Sequence, residues 1–272
     1  MRLDLLHPEI SGNKWFKLKY NLQQAKAEKK ECIITFGGAY SNHIAATAFA
    51  CKEFSIKCIG IIRGHEITED NETISTAKKN GMEIITVTRA EYKLKHTEDY
   101  LKALQLKYPN SYIVPEGGDN KLGEKGCEEI LNNTTNIYTK IFCACGTQTT
   151  FNGIANSLLN EQQLVGINVL KFNSTTNKQH ATIFNEYHFG GYAKHTSELL
   201  NFKKIFEDTY SIPLDYIYTS KLVYAVFDLI NKNVINEDDK ILIIHSGGLQ
   251  GNSGYEKRYN LNPNRQVTEQ VG

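Results

Sequence analysis

The chain has 272 residues, of which 40% are hydrophobic and 22% charged, with 31 Lys and Arg against 30 Asp and Glu. That composition is globular rather than disordered, and the balance of charge gives no electrostatic reason to expect nucleic acid or an anionic membrane as a partner. No run of about 18 apolar residues marks a membrane span. The N-terminus lacks the apolar core of a secretory signal, so a cytoplasmic location is expected.

In chain order, strands are predicted at 3–5, 31–36, 57–62, 83–88, 111–115, 140–144, 164–170, 215–218 and 240–245. Most are apolar throughout instead of alternating, the pattern of strands covered on both faces in a parallel sheet. Helical spacing fills the intervals at 14–30, 41–52, 73–81, 97–108, 123–131, 149–159, 197–209 and 220–231; in the first, Trp15, Leu18, Leu22 and Ala25 fall on one face. The polar segment 172–179 reads as a loop, and the last twenty residues as a loosely ordered tail. Alternation of strand and helix predicts an α/β chain of two three-layer lobes with mostly parallel sheets. Four strands fall within 31–115, so a smaller domain of residues 29–121 is expected, inserted into a larger one of residues 1–28 plus 122–272.

Six cysteines, at 32, 51, 58, 127, 143 and 145, sit largely in apolar runs, without CxxC or zinc-type Cys/His spacing. They read as reduced, buried thiols, and no metal is implied.

Three times a buried strand ends in a Gly/Ser/Thr-rich turn that opens a helix: Phe36-Gly-Gly-Ala-Tyr-Ser-Asn-His43, Cys145-Gly-Thr-Gln-Thr-Thr150 and His245-Ser-Gly-Gly248. Ligands of open parallel sheets bind beyond the carboxyl ends of strands, where backbone amides and helix N-termini favour anions. The hydroxyls of Thr147, Thr149 and Thr150 and the amides from Gly146 onward suit a phosphate, although the turn is neither a P-loop nor GxGxxG. Alone, such a turn is an ordinary helix cap. Ser11-Gly-Asn-Lys14 opens the first long helix, where apolar Trp15 and Phe16 can desolvate the lysine and lower its pKa toward a nucleophilic amine. The plain alternative is a solvated lysine beside Lys17 and Lys19.

These motifs decide between the readings together. Glu9-Ile-Ser-Gly-Asn-Lys-Trp-Phe-Lys-Leu18, Ser41-Asn-His43, Gly117-Gly-Asp-Asn-Lys-Leu-Gly123, Cys145 to Thr150, Gly191-Tyr-Ala193, Ile217-Tyr-Thr-Ser-Lys221 and His245-Ser-Gly-Gly248 keep one order along nearly the whole chain. The ordered set resembles the 1-aminocyclopropane-1-carboxylate deaminase / D-cysteine desulfhydrase family, which uses pyridoxal 5'-phosphate (PLP) on a tryptophan-synthase-β-like scaffold, fold type II. The resemblance implies PLP in the cleft between the lobes, a small amino-acid substrate and a homodimer. It implies that Lys14 carries the cofactor and later moves the α-proton. Ser41 and Asn42 receive the substrate carboxylate and the cofactor's phenolic oxygen, and Ser41 can also cap the following helix.

By the same resemblance, Cys145, Gly146, Thr147, Gln148, Thr149 and Thr150 hold the phosphate. Tyr192 and Tyr218 line the substrate side, and Ser246 faces the pyridine nitrogen with Thr219 nearby. His43 and His245 are read as packing or supporting residues. Gln148 and Ser220 stand where the family pattern has glycine, so Gln148 is expected to keep a negative φ if its amide is to serve. The family also carries further residues ahead of the 3–5 strand. Cyclopropane deaminases of the family carry Glu and Leu where this chain has Thr219 and Ser246; the hydroxyls resemble the desulfhydrase branch. The resulting expectation is α,β-elimination of D-cysteine to pyruvate, ammonia and sulfide. Alternatives are 1-aminocyclopropane-1-carboxylate deamination to 2-oxobutyrate, and a non-catalytic α/β protein that binds a phosphate ligand.

Overall fold

Alternate residues of each strand enter opposite apolar clusters, which is why the strands read as unbroken hydrophobic runs. In β1 (Cys32–Gly38), Ile33 joins one cluster and Ile34 and Phe36 the other. In β2 (Lys57–Arg63), Cys58 and Ile62 join the first, Ile59 and Ile61 the second. With β3 (Met82–Val87) and β4 (Ser111–Val114) they form a sheet of order β3-β2-β1-β4, every pairing parallel. The second sheet, β5 (Lys140–Cys145), β6 (Gln163–Asn168), β7 (Ala181–Phe184) and β8 (Ile241–Ile243), has the order β7-β6-β5-β8 and is parallel throughout. These features belong to a computed structural model that describes residues 1–64, 71–159 and 161–261.

Helix α1 (Lys14–Ala27) serves both sheets. Leu18, Leu22 and Ala25 pack into the first-sheet cluster with Ile33 and Ile44, while Phe16 packs on the second-sheet cluster with Phe151 and Ile154. Helices α2 (Asn42–Glu53) and α3 (Glu72–Lys79) cover the same face of the first sheet, and α4 (Arg89–Lys93) and α5 (Glu98–Lys107) the opposite one. On the second sheet, α6 (Lys121–Cys127) and α7 (Thr149–Asn156) lie with α1, and α8 (Ser197–Tyr210) and α9 (Thr219–Asn231) lie across from them. Helix α6 crosses α1 so closely that a Cβ on Gly126 would stand 1.9 Å from the Phe16 carbonyl oxygen. A last helix, α10 (Asn252–Tyr259), bridges back to the first lobe through Ser253, whose hydroxyl donates to Glu72 across 2.7 Å.

Several expectations need correction. Residues 215–218 are a turn, not a strand, because the Asp215 carboxylate accepts from the amides of Ile217 and Tyr218, at 2.8 and 2.9 Å, in place of a neighbouring strand. Residues 3–5 form a short 3-10 turn, and the sheet is extended instead by a bridge between Arg2 and His245. Strand β7 was not foreseen. The expected tail is helical over α10, and residues 262–272 lie outside the described residues. Among the described residues no helix is long and apolar enough to cross a membrane, and all six cysteines are free thiols.

Candidate active site

The turn ahead of α1 is pressed against the turn after β8. The Asn13 amide donates to the Ser246 carbonyl at 3.1 Å, and Gly12, at φ +72, approaches so near that a Cβ would sit 1.9 Å from the same oxygen. Only glycine combines that φ with that contact. Asn13 also reaches sideways: its Nδ2 donates to Thr150 Oγ1 at 2.8 Å. Lys14 is thereby placed where the 246–248 and 146–150 turns meet.

The Lys14 side chain is only 7% exposed, with no hydrogen-bond or ion-pair partner among the described residues. Burial, reinforced by the Lys17 ammonium, holds its pKa well below the usual lysine range. Lys17 itself is buried. Burial lowers its pKa too, with the Cys127 thiol and the Asp119 carboxylate opposing. A Cβ on Gly118 would stand 3.1 Å from Lys17 Cβ and 3.8 Å from His43 Cε1, so the Gly117-Gly-Asp119 turn lies over both side chains.

The 146–150 turn is braced from below. Asp119 Oδ1 accepts from Thr149 Oγ1 at 2.5 Å, and Thr147 and Thr149 hydroxyls lie 2.8 Å apart. Gln148 corrects the expected negative φ: it is left-handed, at φ +62, immediately before helical Thr149. The amide is not lost by this. Left-handed and right-handed residues in succession turn consecutive N–H groups toward one point, a concavity suited to an anion, and the first amides of α7 have no acceptor within the helix. The Cys145 side chain, by contrast, is buried in the second-sheet core beside Gly166, away from the turn.

On the first lobe, Ser41 occupies the N-cap of α2 without making a cap hydrogen bond, so its hydroxyl is available, as is the Asn42 amide among the described residues. His43 is fixed by a relay. Thr35 Oγ1 donates its only proton to the Val114 carbonyl at 2.8 Å, so His43 Nε2, 2.7 Å away, must be the donor to Thr35. Nδ1 is then an unprotonated acceptor, buried and unpartnered. Burial, with the Lys14 and Lys17 ammoniums adding repulsion, holds the ring neutral, its pKa well below the usual histidine value.

Opposite, Tyr218 lies against the anion turn: a Cβ on Gly146 would stand 3.2 Å from Tyr218 Cε1. Tyr192 meets Tyr218 edge-to-face with ring centroids 6.4 Å apart. Burial, followed by the neighbouring Tyr192, raises the Tyr218 phenol well above its ordinary pKa, so it keeps its proton. Thr219 corrects another expectation. It is fully buried, its hydroxyl donating to Asp215 Oδ1 at 2.8 Å and accepting from the Asp215 amide at 2.7 Å. It is committed to Asp215 and has no donor to spare for a ring nitrogen. Ser246 keeps its hydroxyl unengaged among the described residues. His245 is a support, with Nε2 2.8 Å from the Pro213 carbonyl oxygen and Nδ1 3.1 Å from Asp4.

A desolvated lysine, an anion-shaped turn tied to it by one side chain and a set of uncommitted hydroxyls and amides form a set of groups that fits PLP. The family model of pyridoxal-phosphate-dependent enzymes matches residues 1–247. The chain belongs to that family. It is 29% identical over 289 residues to the bifunctional D-cysteine desulfhydrase/1-aminocyclopropane-1-carboxylate deaminase, mitochondrial, of Arabidopsis thaliana, covering 92% of this chain and 72% of the relative. The crystal structure of an ACC deaminase homologue superposes with a TM-score of 0.81 at 27% identity, over 94% of this chain and 86% of the other. A fungal L-serine ammonia-lyase from Rhizomucor miehei, 14% identical, shares the fold with a TM-score of 0.63 over 92% of this chain and 90% of its own. The α/β scaffold is therefore that of PLP enzymes of fold type II, and the cofactor is pyridoxal phosphate.

Sequence reasoning missed four residues here: Asn13, Lys17, Asp119 and Asp215. Each lies inside or beside a motif that was recognised, but what each does depends on a partner thirty or more positions away, or, for Asp215, on the turn it creates.

Proposed function

We propose that this chain is a deaminating lyase that takes D-cysteine and water to pyruvate, ammonia and hydrogen sulfide. The observation that carries this reading is the desolvated Lys14 amine joined to the 146–150 turn through Asn13 and Thr150. PLP, when bound, supplies an electron sink for the substrate's α-carbon. Lys14, disfavoured as an ammonium by its burial, carries the cofactor and takes the α-proton. The amides from Gly146 to Thr150 and the Thr150 hydroxyl, which accepts from Asn13 and keeps its own proton, hold the phosphate, while the Thr147 and Thr149 hydroxyls are committed to bracing the turn on Asp119. Ser41 and Asn42 orient the carboxylate. Tyr218, which retains its proton, and Tyr192 face the substrate, and either phenol can protonate the departing sulfur.

A hydroxyl, Ser246, rather than a carboxylate at the ring nitrogen favours a weaker sink, sufficient where sulfide leaves readily. The name of the Arabidopsis relative supports the alternative substrate as well, 1-aminocyclopropane-1-carboxylate deaminated to 2-oxobutyrate. Purified protein incubated with each compound separates the two: sulfide and pyruvate from D-cysteine support the reading, whereas 2-oxobutyrate from the cyclopropane with no sulfide from D-cysteine reverses the assignment. The same proposal includes residues 29–121 as the inserted smaller domain, supported by the grouping of β1 to β4 in one sheet. It also includes a cytoplasmic homodimer, to be tested by its mass in solution.

A further inference from the structure

Tyr192 sits in a backbone that does not hold itself. Over five residues φ is positive at Phe189 (+49), Gly190 (+91), Gly191 (+109) and Ala193 (+53). Two of these are not glycine, and such conformations persist only where surrounding contacts over-determine them. The contacts are on the carbonyls that flank Tyr192. Ala193 O accepts from Tyr259 Oη at 2.7 Å and from Tyr255 Oη at 3.3 Å, both on α10. On the other side, Gly191 O and His188 O both accept from Lys221 Nζ, at 2.7 and 2.8 Å.

Lys221 is fully buried, one turn into α9 from Tyr218. Its amine makes no ion pair among the described residues; burial brings its pKa down to about 8, partly opposed by Asp215, and the charged and titratable groups facing it are Asp215 and His195. A buried ammonium spent on two carbonyls is costly unless it fixes something. What it fixes is the loop opposite Tyr218.

We propose that Lys221 is the positioning residue of Tyr192: through the His188 and Gly191 carbonyls it holds residues 188–193 in the conformation that sets the Tyr192 ring against Tyr218. This rests on the reading above only in giving those two tyrosines a catalytic use. The first turn of α9 thus carries one tyrosine directly and the other through a lysine.

The test is Lys221→Met in the holoenzyme, alone and with Tyr192→Phe, followed by hydrogen–deuterium exchange and D-cysteine turnover. Exchange in the peptide covering 188–195 is expected to quicken about ten-fold or more in Lys221→Met, while the core strands β5 and β6 stay protected. Turnover is expected to fall up to about 100-fold, the scale of a misplaced group, and Tyr192→Phe should then add nothing further. Lys221→Arg, which keeps the charge and donors, should restore much of the protection. Unchanged exchange in the 188–195 peptide, or losses from the two substitutions that simply multiply, would overturn the proposal. Should Lys221→Met fail to fold, the same comparison is made with Lys221→Gln. A wild-type protein inert toward D-cysteine but with the loop loosened in the variant would sink the substrate assignment and leave the positioning role standing.

Discussion

Asn13 Nδ2 and Thr150 Oγ1 are 2.8 Å apart, and this single hydrogen bond joins the residue before Lys14 to the turn that opens α7. On the function proposed above, the groups that would hold the two ends of PLP cannot drift independently. Replacing Asn13 with Ala removes one net hydrogen bond, about 0.5–1.5 kcal/mol. PLP affinity, followed by absorbance titration, should fall several-fold to about ten-fold with little change in Tm.

Lys14→Met should abolish borohydride-reducible attachment of PLP. It should also make the cofactor-free protein more stable at neutral pH. Because burial depresses the lysine's folded pKa, protonation opposes folding at every pH below the ordinary value of about 10.4. The penalty is fully present below the folded pKa and fades as pH rises from there to that ordinary value. The difference in Tm between Lys14→Met and wild type should therefore be positive at pH 7 and shrink at pH 10, as differential scanning calorimetry of the apo proteins would show.

His43 carries the same sign into the acid range. Its folded pKa is also depressed, so the neutral ring's contribution is complete above about 6.5 and is lost as pH falls below that value. Thermal melts of His43→Gln at pH 7 and pH 5 should differ less than those of wild type. Nitrogen-15 NMR of the histidines should show the Nε2–H tautomer at this position, in keeping with the Thr35 and Val114 relay.

Gly12→Ala places a methyl 1.9 Å from the Ser246 carbonyl oxygen on a backbone at φ +72. Strain and displacement together should cost about 2–4 kcal/mol. The urea midpoint should drop accordingly, and PLP should be held less firmly, because the turn that must move is the one bearing Ser246.

Seven of the eight strands, and helices α1 to α3 and α5 to α9, were legible, the strands because burial on both faces leaves a plain mark: β1, β2 and β5 are apolar nearly end to end. Strand β7, Ala181–Phe184, leaves no such mark, since it is a sheet edge whose residues are only partly covered. The run at 215–218 misled for a related reason. Its residues are apolar enough for a strand, but a carboxylate placed just ahead of them satisfies their amides locally. Lys14 was legible from motif order, whereas Lys17, three residues on, reads as one more surface lysine. Its burial is decided by Gly118 and Cys127, a hundred positions later. The left-handed Gln148 is similarly silent, because glutamine carries no preference for that conformation and only the meeting of β5 and α7 imposes it.

Helix α1 contributes Leu18, Leu22 and Ala25 to the interior under one sheet and Phe16 to the interior under the other. A fragment of residues 29–121 would therefore leave an open trough along Ile33 and Ile44 where another part of the chain belongs. Residues 29–121 are not a module that could be excised or exchanged intact. The helix that begins with Lys14 is also the keel on which both halves are built, so on the function proposed above a lesion there forfeits catalysis and assembly at once.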